Sequence, residues 1–571
     1  MLWSANITAC RNIIFKNGRT MSDQISIKNP NDTKRNLPSM QTPTLENVAE
    51  YTKQSACEFC DITPIHGCKH FLSSANQLLI ERIWWFCVFG VALYYCGHLV
   101  FNVYEERKRD PIIISFDQQT SSIYSIPFPA VTICPETKVK SSVLNMSHTF
   151  ELVRKNKLNE TIDEERVRRL LLLLQLCDYN IYDKHETPFY SDDVLVQLRK
   201  MSIPSYEVFN SCGWKGEGVT CLKYFKTTLT EKGFCYTFNA IANNDLLRKD
   251  QLDPRYNLNS ETRSSDWELD EGFHGNVGSN AFPRRIVSGG YRNSLGATLI
   301  VNKSDLDYLC GDSFQGYKVM LHMPDEFPLV SHQYFRVPLD QELIVSVTPN
   351  VISTNDRVRR YLPEERKCYY THERYLRFFK IYNKINCETE CLTNYTYHLC
   401  GCVQFWMPHP KGAPVCTLHD APCYQSAVSH ISKRAARFRS DSCNCLQTCN
   451  YIEYQTQVSQ AGWNWQNGEF FNYMERRPMT DSVHQSKMVI YFREADFIPL
   501  VRKERTSVSE LIANCGGLMG LFMGASLVSM VELVYYCTLR PVAMWMLEKR
   551  KNPDNNEDEQ RCSCRCEINQ E

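Results

Sequence analysis

The chain has 571 residues with 64 basic and 64 acidic side chains, so it carries no net formal charge. That balance excludes the electrostatic footprint of a nucleic-acid-binding protein, whose affinity rests on neutralising phosphates. Its 27 cysteines make the redox compartment the first question to settle.

Residues 1–55 are polar and aperiodic and read as a flexible cytosolic tail. The start lacks a compact apolar core followed by a small-residue cleavage site, so no removable signal peptide is expected. Residues 56–82, with ACEFCDITPIHGCKHF, form an ordered segment ahead of the first long apolar run, Ile83–Val103, which is long enough to span a bilayer and to act as a signal anchor. Residues 104–510 are mixed and polar, enough for a large folded domain. The second apolar run, residues 511–536, is followed by a charged tail, 537–571. Two crossings put both termini on one side.

Lys69 and Arg82 before the first span and Arg107, Lys108 and Arg109 after it leave the orientation open by charge. The cysteines settle it. Sixteen of the 27 lie between the spans, an even number and a density expected of an oxidising compartment. The same region carries the sequons Asn145, Asn159, Asn302 and Asn394. The middle is therefore expected outside the cell and both ends inside, leaving the sequons at Asn6 and Asn31 unused.

Within the middle, SSIYSIPFPAVTIC reads as extended and ERVRRLLLLLQLCDY as helical. Residues 243–302, rich in Asn, Ser, Gly and Asp, predict a long surface loop. The stretch YYTHERYLRFFKIYNKINCETECL predicts a charged, aromatic helix with Cys387 and Cys391 on one face, and Cys443, Cys445 and Cys449 as partners on a returning segment. SKMVIYFREADFIPLVRKERTSVSE alternates as strands do before the second span.

The second span carries Gly516, Gly517, Gly520 and Gly524, then Ala525, Ser526 and, further on, Glu532. At about 100° per residue, Ala513, Gly517, Gly520 and Gly524 share one face. A small-residue stripe suits a tightly packed helix pair. Small residues followed by a hydroxyl and an intramembrane acid also suit a water-filled ion path, with backbone oxygens exposed to a hard cation. Two spans cannot enclose a pore, so that reading requires a symmetric oligomer. A hydrolase nucleophile elbow is excluded because Val528 stands where its second glycine belongs. Cys57, Cys60, His66 and Cys68 have ligand types for zinc, at cramped spacing. His98 reads as a packed residue, Arg107–Arg109 as lipid headgroup contacts, and Cys562, Cys564 and Cys566 as free tail thiols or palmitoylation sites.

Taken together, His66-Gly67, FPAVTIC ending at Cys134, GFCYTFN around Cys235, CETECLTNYTYHLCGC from Cys387, CNCLQTC from Cys443 and GGLMGLFMGASLVSMVE resemble the degenerin/epithelial sodium channel superfamily and its insect pickpocket branch. The resemblance runs over roughly residues 57–545. It implies a membrane protein with two transmembrane helices and a large disulfide-rich α+β ectodomain, assembled as a homotrimer or a heterotrimer with related subunits. It further implies a multi-pass plasma-membrane channel with cytosolic termini that contacts lipid, conducts Na+ in preference to larger cations and is amiloride-sensitive. No cofactor, resident metal, catalytic residue or nucleic-acid partner is implied. By the same resemblance, Gly524, Ala525 and Ser526 match the selectivity filter, and Ala513, His66 and Gly67 match gating positions. Asn514, Gly517, Gly520 and Glu532 are expected to line the pore. The implied disulfides are Cys134–Cys235, Cys212–Cys221, Cys368–Cys449, Cys387–Cys445, Cys391–Cys443, Cys400–Cys423 and Cys402–Cys416, with Cys177–Cys310 as an extra pair. One departure is Asn514, where acid-sensing members carry an aspartate, so proton gating has no support. The alternative is a non-conducting or accessory cell-surface receptor subunit. An ectoenzyme has no supporting constellation, and the motifs of ATP-gated channels are missing. The stimulus, including any extracellular ligand, is not legible.

Overall fold

The computed structural model describes residues 45–72, 78–155, 164–177, 194–254, 263–275, 278, 280–310, 314–438, 443–467 and 482–551. The sequon Asn159, the two tail ends and Cys562, Cys564 and Cys566 lie outside the described residues. The chain divides into two compact units: residues 1–99 with 514–571, and residues 100–513.

In the larger unit, an eight-stranded sheet is organised on the long strand Gln341–Thr354. Its buried positions Leu343, Val345 and Val347 alternate with more exposed ones, the period-2 pattern of a strand with one face in a core. Tyr451–Gly462 pairs with it antiparallel, while Val483–Phe492 and Leu500–Glu504 pair with it parallel. Leu500–Glu504 also pairs with Ile112–Phe116, in the register Ile112↔Glu504. A five-stranded antiparallel sheet runs in the order Phe335–Val337, Tyr317–His322, Ala130–Pro135, Gly233–Phe238, Phe225–Thr230. One core draws on both sheets: the Phe128 ring meets Trp214, Phe238 and Phe492 edge-on at centroid distances of 5.1, 6.1 and 5.3 Å. A second core gathers the helices Glu164–Leu174 and Val194–Met201 with Phe378, Phe379, Trp406 and Met407. Helices beside a mixed sheet and an antiparallel one make this an α+β unit, the expected class.

All sixteen of its cysteines are bonded. The pairs are Cys134–Cys235, Cys177–Cys310, Cys212–Cys221, Cys368–Cys449, Cys387–Cys445, Cys391–Cys443, Cys400–Cys423 and Cys402–Cys416. Cys387 and Cys391 lie one turn apart on the helix Lys384–Cys400, so two bridges tie one face of that helix to the returning segment at Cys443 and Cys445. Each such bridge contributes about 2–4 kcal/mol by restricting the unfolded chain. Sequons Asn145, Asn302 and Asn394 are exposed.

Two sequence expectations need correction. The predicted aromatic helix begins only at Lys384, capped by Asn383, whose side-chain oxygen accepts the Asn386 N–H. Upstream, the backbone bonds elsewhere: the N–H groups of Arg377 and Phe378 donate to buried Glu390 at 2.9 and 2.8 Å, and that of Lys380 to the Leu246 carbonyl. With those donors taken by tertiary acceptors, no helical ladder forms. Residues 243–302 are likewise more than a surface loop. They bury Trp267, Phe282 and Ile286 and supply the strand Leu295–Asn302, which lies between Phe209–Trp214 and Val483–Phe492.

Asp325 and Glu326 sit in the interior beside Tyr454. Burial raises their carboxyls to about 7 and about 8, each acid adding to the rise through a neighbouring carboxylate. Burial holds His322 down to about 4. Below pH 6.5 the two effects oppose, because His322 resists protonation while the acids favour it. Of these three groups only the acids act from pH 6.5 to 8: their folded pKa values exceed the unfolded ones, so stability falls as they ionise, at most about 1.4 kcal/mol per pH unit for each proton released. Lys138, held down to about 8 by burial, begins to oppose them toward the top of that window. Melting temperature of the purified protein should therefore drop between pH 6.5 and 8. The double variant Asp325→Asn/Glu326→Gln should flatten that slope, and an unchanged slope would remove the pair as its cause.

The smaller unit contains the helix Leu45–Ile62, the short helix Cys68–Leu72, most of the helix Leu79–Arg109 and the end of the chain. Leu79–Arg109 has a mean hydropathy of 1.6 over its most apolar window, enough to cross a membrane, and leaves Trp84, Phe86 and Tyr94 exposed. The second apolar segment is two helices, Val508–Met523 and Leu527–Lys551, where the sequence alone reads as one.

Candidate functional site

The break between those helices follows from capping chemistry. Gly524 has φ +69°, the left-handed conformation that glycine enters at least cost, and its N–H donates to the Gly520 carbonyl at 2.9 Å. This is a one-bond left-handed helix stop. Ser526 then starts the next helix: its Oγ accepts the Ser529 N–H at 3.2 Å, and Ser529 Oγ accepts the Ser526 N–H at 3.2 Å. Such a reciprocal pair is a capping box with serine in both roles. Between the two caps, Ala525 is buried and Ser526 exposed.

A loop from the other end of the chain closes on this break. The helix Leu45–Ile62 packs along Leu527–Lys551: Ser55 Oγ donates to the Tyr536 carbonyl at 2.6 Å, Phe59 meets the Tyr536 ring at 5.7 Å, and Arg540 Nε donates to Glu58 Oε2 at 3.0 Å. That anchoring delivers the following loop, where the His66 N–H donates to the Met523 carbonyl at 2.9 Å. Gly67, at φ +94°, turns the chain away. A Cβ placed on Gly524 would lie 2.8 Å from His66 Cδ2 and 3.0 Å from both His66 Nε2 and the Pro64 carbonyl oxygen. Glycine is thus required at 524 by conformation and by space together.

The structure therefore brings His66 to Gly524, a juxtaposition of positions 458 residues apart that no local sequence signal announces. Ala513, Asn514, Gly517 and Gly520 lie on the first half-helix and are exposed within their own chain. A Cβ at Gly517 would meet nothing within 4 Å, and one at Gly520 only the Ala525 carbonyl at 3.9 Å. Glu532 is half-buried on the second half-helix. Cys60 and Cys68 are hydrogen-bonded free thiols, and burial, with Cys68 adding, pushes Cys60 up to about 11. His66 packs at Gly524, so the zinc alternative is not assembled: among the described residues, the groups with metal-ligand spacing do not include it.

Residues 59–536 match the family model described as amiloride-sensitive sodium channel. The chain is similar to pickpocket protein 28 of Drosophila melanogaster, with 27% identity covering 86% of this chain and 79% of that protein. It is also similar to the sodium channel protein Nach of Drosophila melanogaster, at 23% identity over 85% and 87% of the two chains. A third relative is acid-sensing ion channel 2 of Rattus norvegicus, at 23% identity over 84% and 85%. A match across most of the chain, from before the first apolar helix into the last and including the bonded cysteines between them, makes the chain a member of the amiloride-sensitive sodium channel family.

Proposed function

We propose that the chain is a pore-forming subunit of a trimeric, sodium-selective plasma-membrane channel, with Gly524, Ala525 and Ser526 as its filter. The observation that carries this is the non-helical backbone of residues 524–526 within an apolar segment. Lipid tolerates such a break only where protein buries it or water lines it. Three copies around an axis would face carbonyl and hydroxyl oxygens to the ion, the ligands that replace the hydration shell of a hard cation. Asn514, Gly517 and Gly520 would line the approach above the break and Glu532 the vestibule below it, where an ionisable group in a span faces water.

The thiols support the orientation. Every described cysteine of residues 104–510 is bonded, whereas Cys57, Cys60, Cys68, Cys87, Cys96, Cys515 and Cys537 are free. This partition fits an extracellular middle, with Asn145, Asn159, Asn302 and Asn394 open to glycosylation, and cytosolic ends. His66, whose N–H is bonded to the last carbonyl of the first half-helix, with Gly67 turning the chain beside it, would then hold the filter from the cytosolic side and couple it to gating driven from the ectodomain.

The test is ion selectivity. Replacing Ser526 by glycine should alter the Na+/K+ permeability ratio severalfold in whole-cell recordings while leaving surface expression near wild type. Identical ratios in the variant and the wild type would reject the filter assignment.

A further inference from the structure

One surface cluster of the cysteine-rich unit carries metal-binding chemistry that permeation leaves unused. Glu268, Glu271 and His274 each present a ligand atom within 4.8 Å of the other two. They belong to a short hairpin in which Glu268 pairs with Gly272 and Trp267 with Phe273. Buried Trp267 roots it, and the His274 N–H donates to the Asp266 carbonyl at 3.0 Å. The His274 ring nitrogens lie 3.7 Å from Glu268 Oε1 and 3.8 Å from Glu271 Oε2. From a distant part of the chain, His372 Nε2 comes within 3.8 Å of Glu268 Oε2.

The two segments are fastened together. Asp270 Oδ2 accepts the Thr371 N–H at 2.8 Å and the Thr371 hydroxyl at 2.6 Å, while its Oδ1 accepts from Asn450 Nδ2 at 2.9 Å. Thr371 precedes His372 directly, so the latch fixes the backbone that carries the second imidazole beside the hairpin that carries the first.

We propose that Glu268, Glu271, His274 and His372 form a zinc site that cross-links the hairpin to the segment at residues 371–372. Mixed imidazole and carboxylate ligands select a borderline cation such as Zn2+ over Ca2+ or Mg2+, which take oxygen alone. Ligand atoms about 2.0–2.1 Å from a tetrahedral metal lie roughly 3.3–3.5 Å apart. His274 faces Glu268 through Nε2 at 3.7 Å and Glu271 through Nδ1 at 3.8 Å, and a metal takes one of these nitrogens. On binding, one carboxylate therefore swings round the ring and His372, 3.8 Å from Glu268, closes in. These rearrangements are open to exposed side chains whose ligand atoms at Glu268, Glu271 and His274 already lie within 4.8 Å of one another. Two carboxylates and two neutral imidazoles also balance the divalent charge. Four protein ligands leave no open position, so the role is structural or regulatory rather than catalytic. Sodium conduction is not a premise of this inference.

The competing account is ordinary surface ion pairing between exposed His and Glu. Equilibrium dialysis of the full-length, detergent-purified protein against Zn2+ alone, with metal counted by mass spectrometry, separates the two. One tight zinc per chain is expected in the wild type, with at least tenfold weaker binding in Glu271→Gln and in His274→Ala, and several-fold weaker binding in His372→Ala. Zinc should also raise the melting temperature of the wild type and not that of His274→Ala. All of these positions are exposed, and unchanged gel-filtration behaviour of the near-isosteric Glu271→Gln guards against misfolding. Zinc affinity that is equal in the wild type and in any of the three variants, or absent from the wild type at 100-fold molar excess, overturns the site.

Discussion

Ala513→Val, expressed alone or with related subunits, should give a sodium current that flows without a stimulus. Ala513 begins a run of small residues, with Gly517 and Gly520 one and two turns later, and all three are exposed within the chain. Nothing within 4 Å of a Cβ at Gly517 explains its small size. In the proposed trimer the demand for smallness comes from the other two copies of the same helix in the closed state. Two added methyl groups in a tight contact cost about 1–3 kcal/mol. Three copies sum to about 3–9 kcal/mol, and about 5.5 kcal/mol is enough to turn a 1:99 equilibrium into 99:1. Ala513→Gly adds no volume and should stay closed. Surface-labelled Ala513→Val protein without leak current, both alone and in mixed assemblies, would point to the accessory-subunit reading instead.

What the sequence made legible follows from how local each signal is. Apolar runs announce two crossings because twenty consecutive residues share one environment. The extracellular compartment proposed for residues 104–510 rests on cysteine parity and sequons, which are counts. The partners of those cysteines are not legible, since spacing leaves many connectivities open until strands are registered: Cys134 meets Cys235 because Ile133 pairs with Tyr236. Tyr369–Asn383 misleads because its side-chain pattern is helical while its backbone donors are claimed by Glu390 and Leu246, residues supplied by the tertiary fold. At the candidate site the opposite happens. Glycine at 524 and serine at 526 carry the stop and start signals of two helices, yet continuous apolarity through 511–536 conceals the break. The His66 contact is invisible in one dimension.

Gly524→Ala should reach the cell surface and lose selective conduction. Two separate penalties fall on one methyl group. The left-handed backbone at φ +69° costs a residue with a Cβ roughly 1–2 kcal/mol. The methyl would also press on the His66 ring at 2.8 Å and on the Pro64 carbonyl at 3.0 Å, and a carbonyl in the backbone yields less readily than a ring. The chain can relieve the strain by continuing the helix through 524 or by pushing the His66 loop away. Either route removes the non-helical stretch or its support, so the proposed filter loses its geometry while the disulfide-stapled unit, with its own cores, still folds. His66→Ala in the same chain removes the ring contact but keeps the His66 backbone N–H that donates to Met523, so the double variant should regain part of the lost current and not all of it. Gly517→Ala, where a methyl meets open space within its own chain, keeps φ in the helical range and should spare the filter's selectivity. Recording Na+/K+ permeability ratios for these variants separates backbone conformation from steric contact. A Gly524→Ala channel with the ratio and open probability of the wild type would mean that the break is dispensable and that ions are selected elsewhere in the chain.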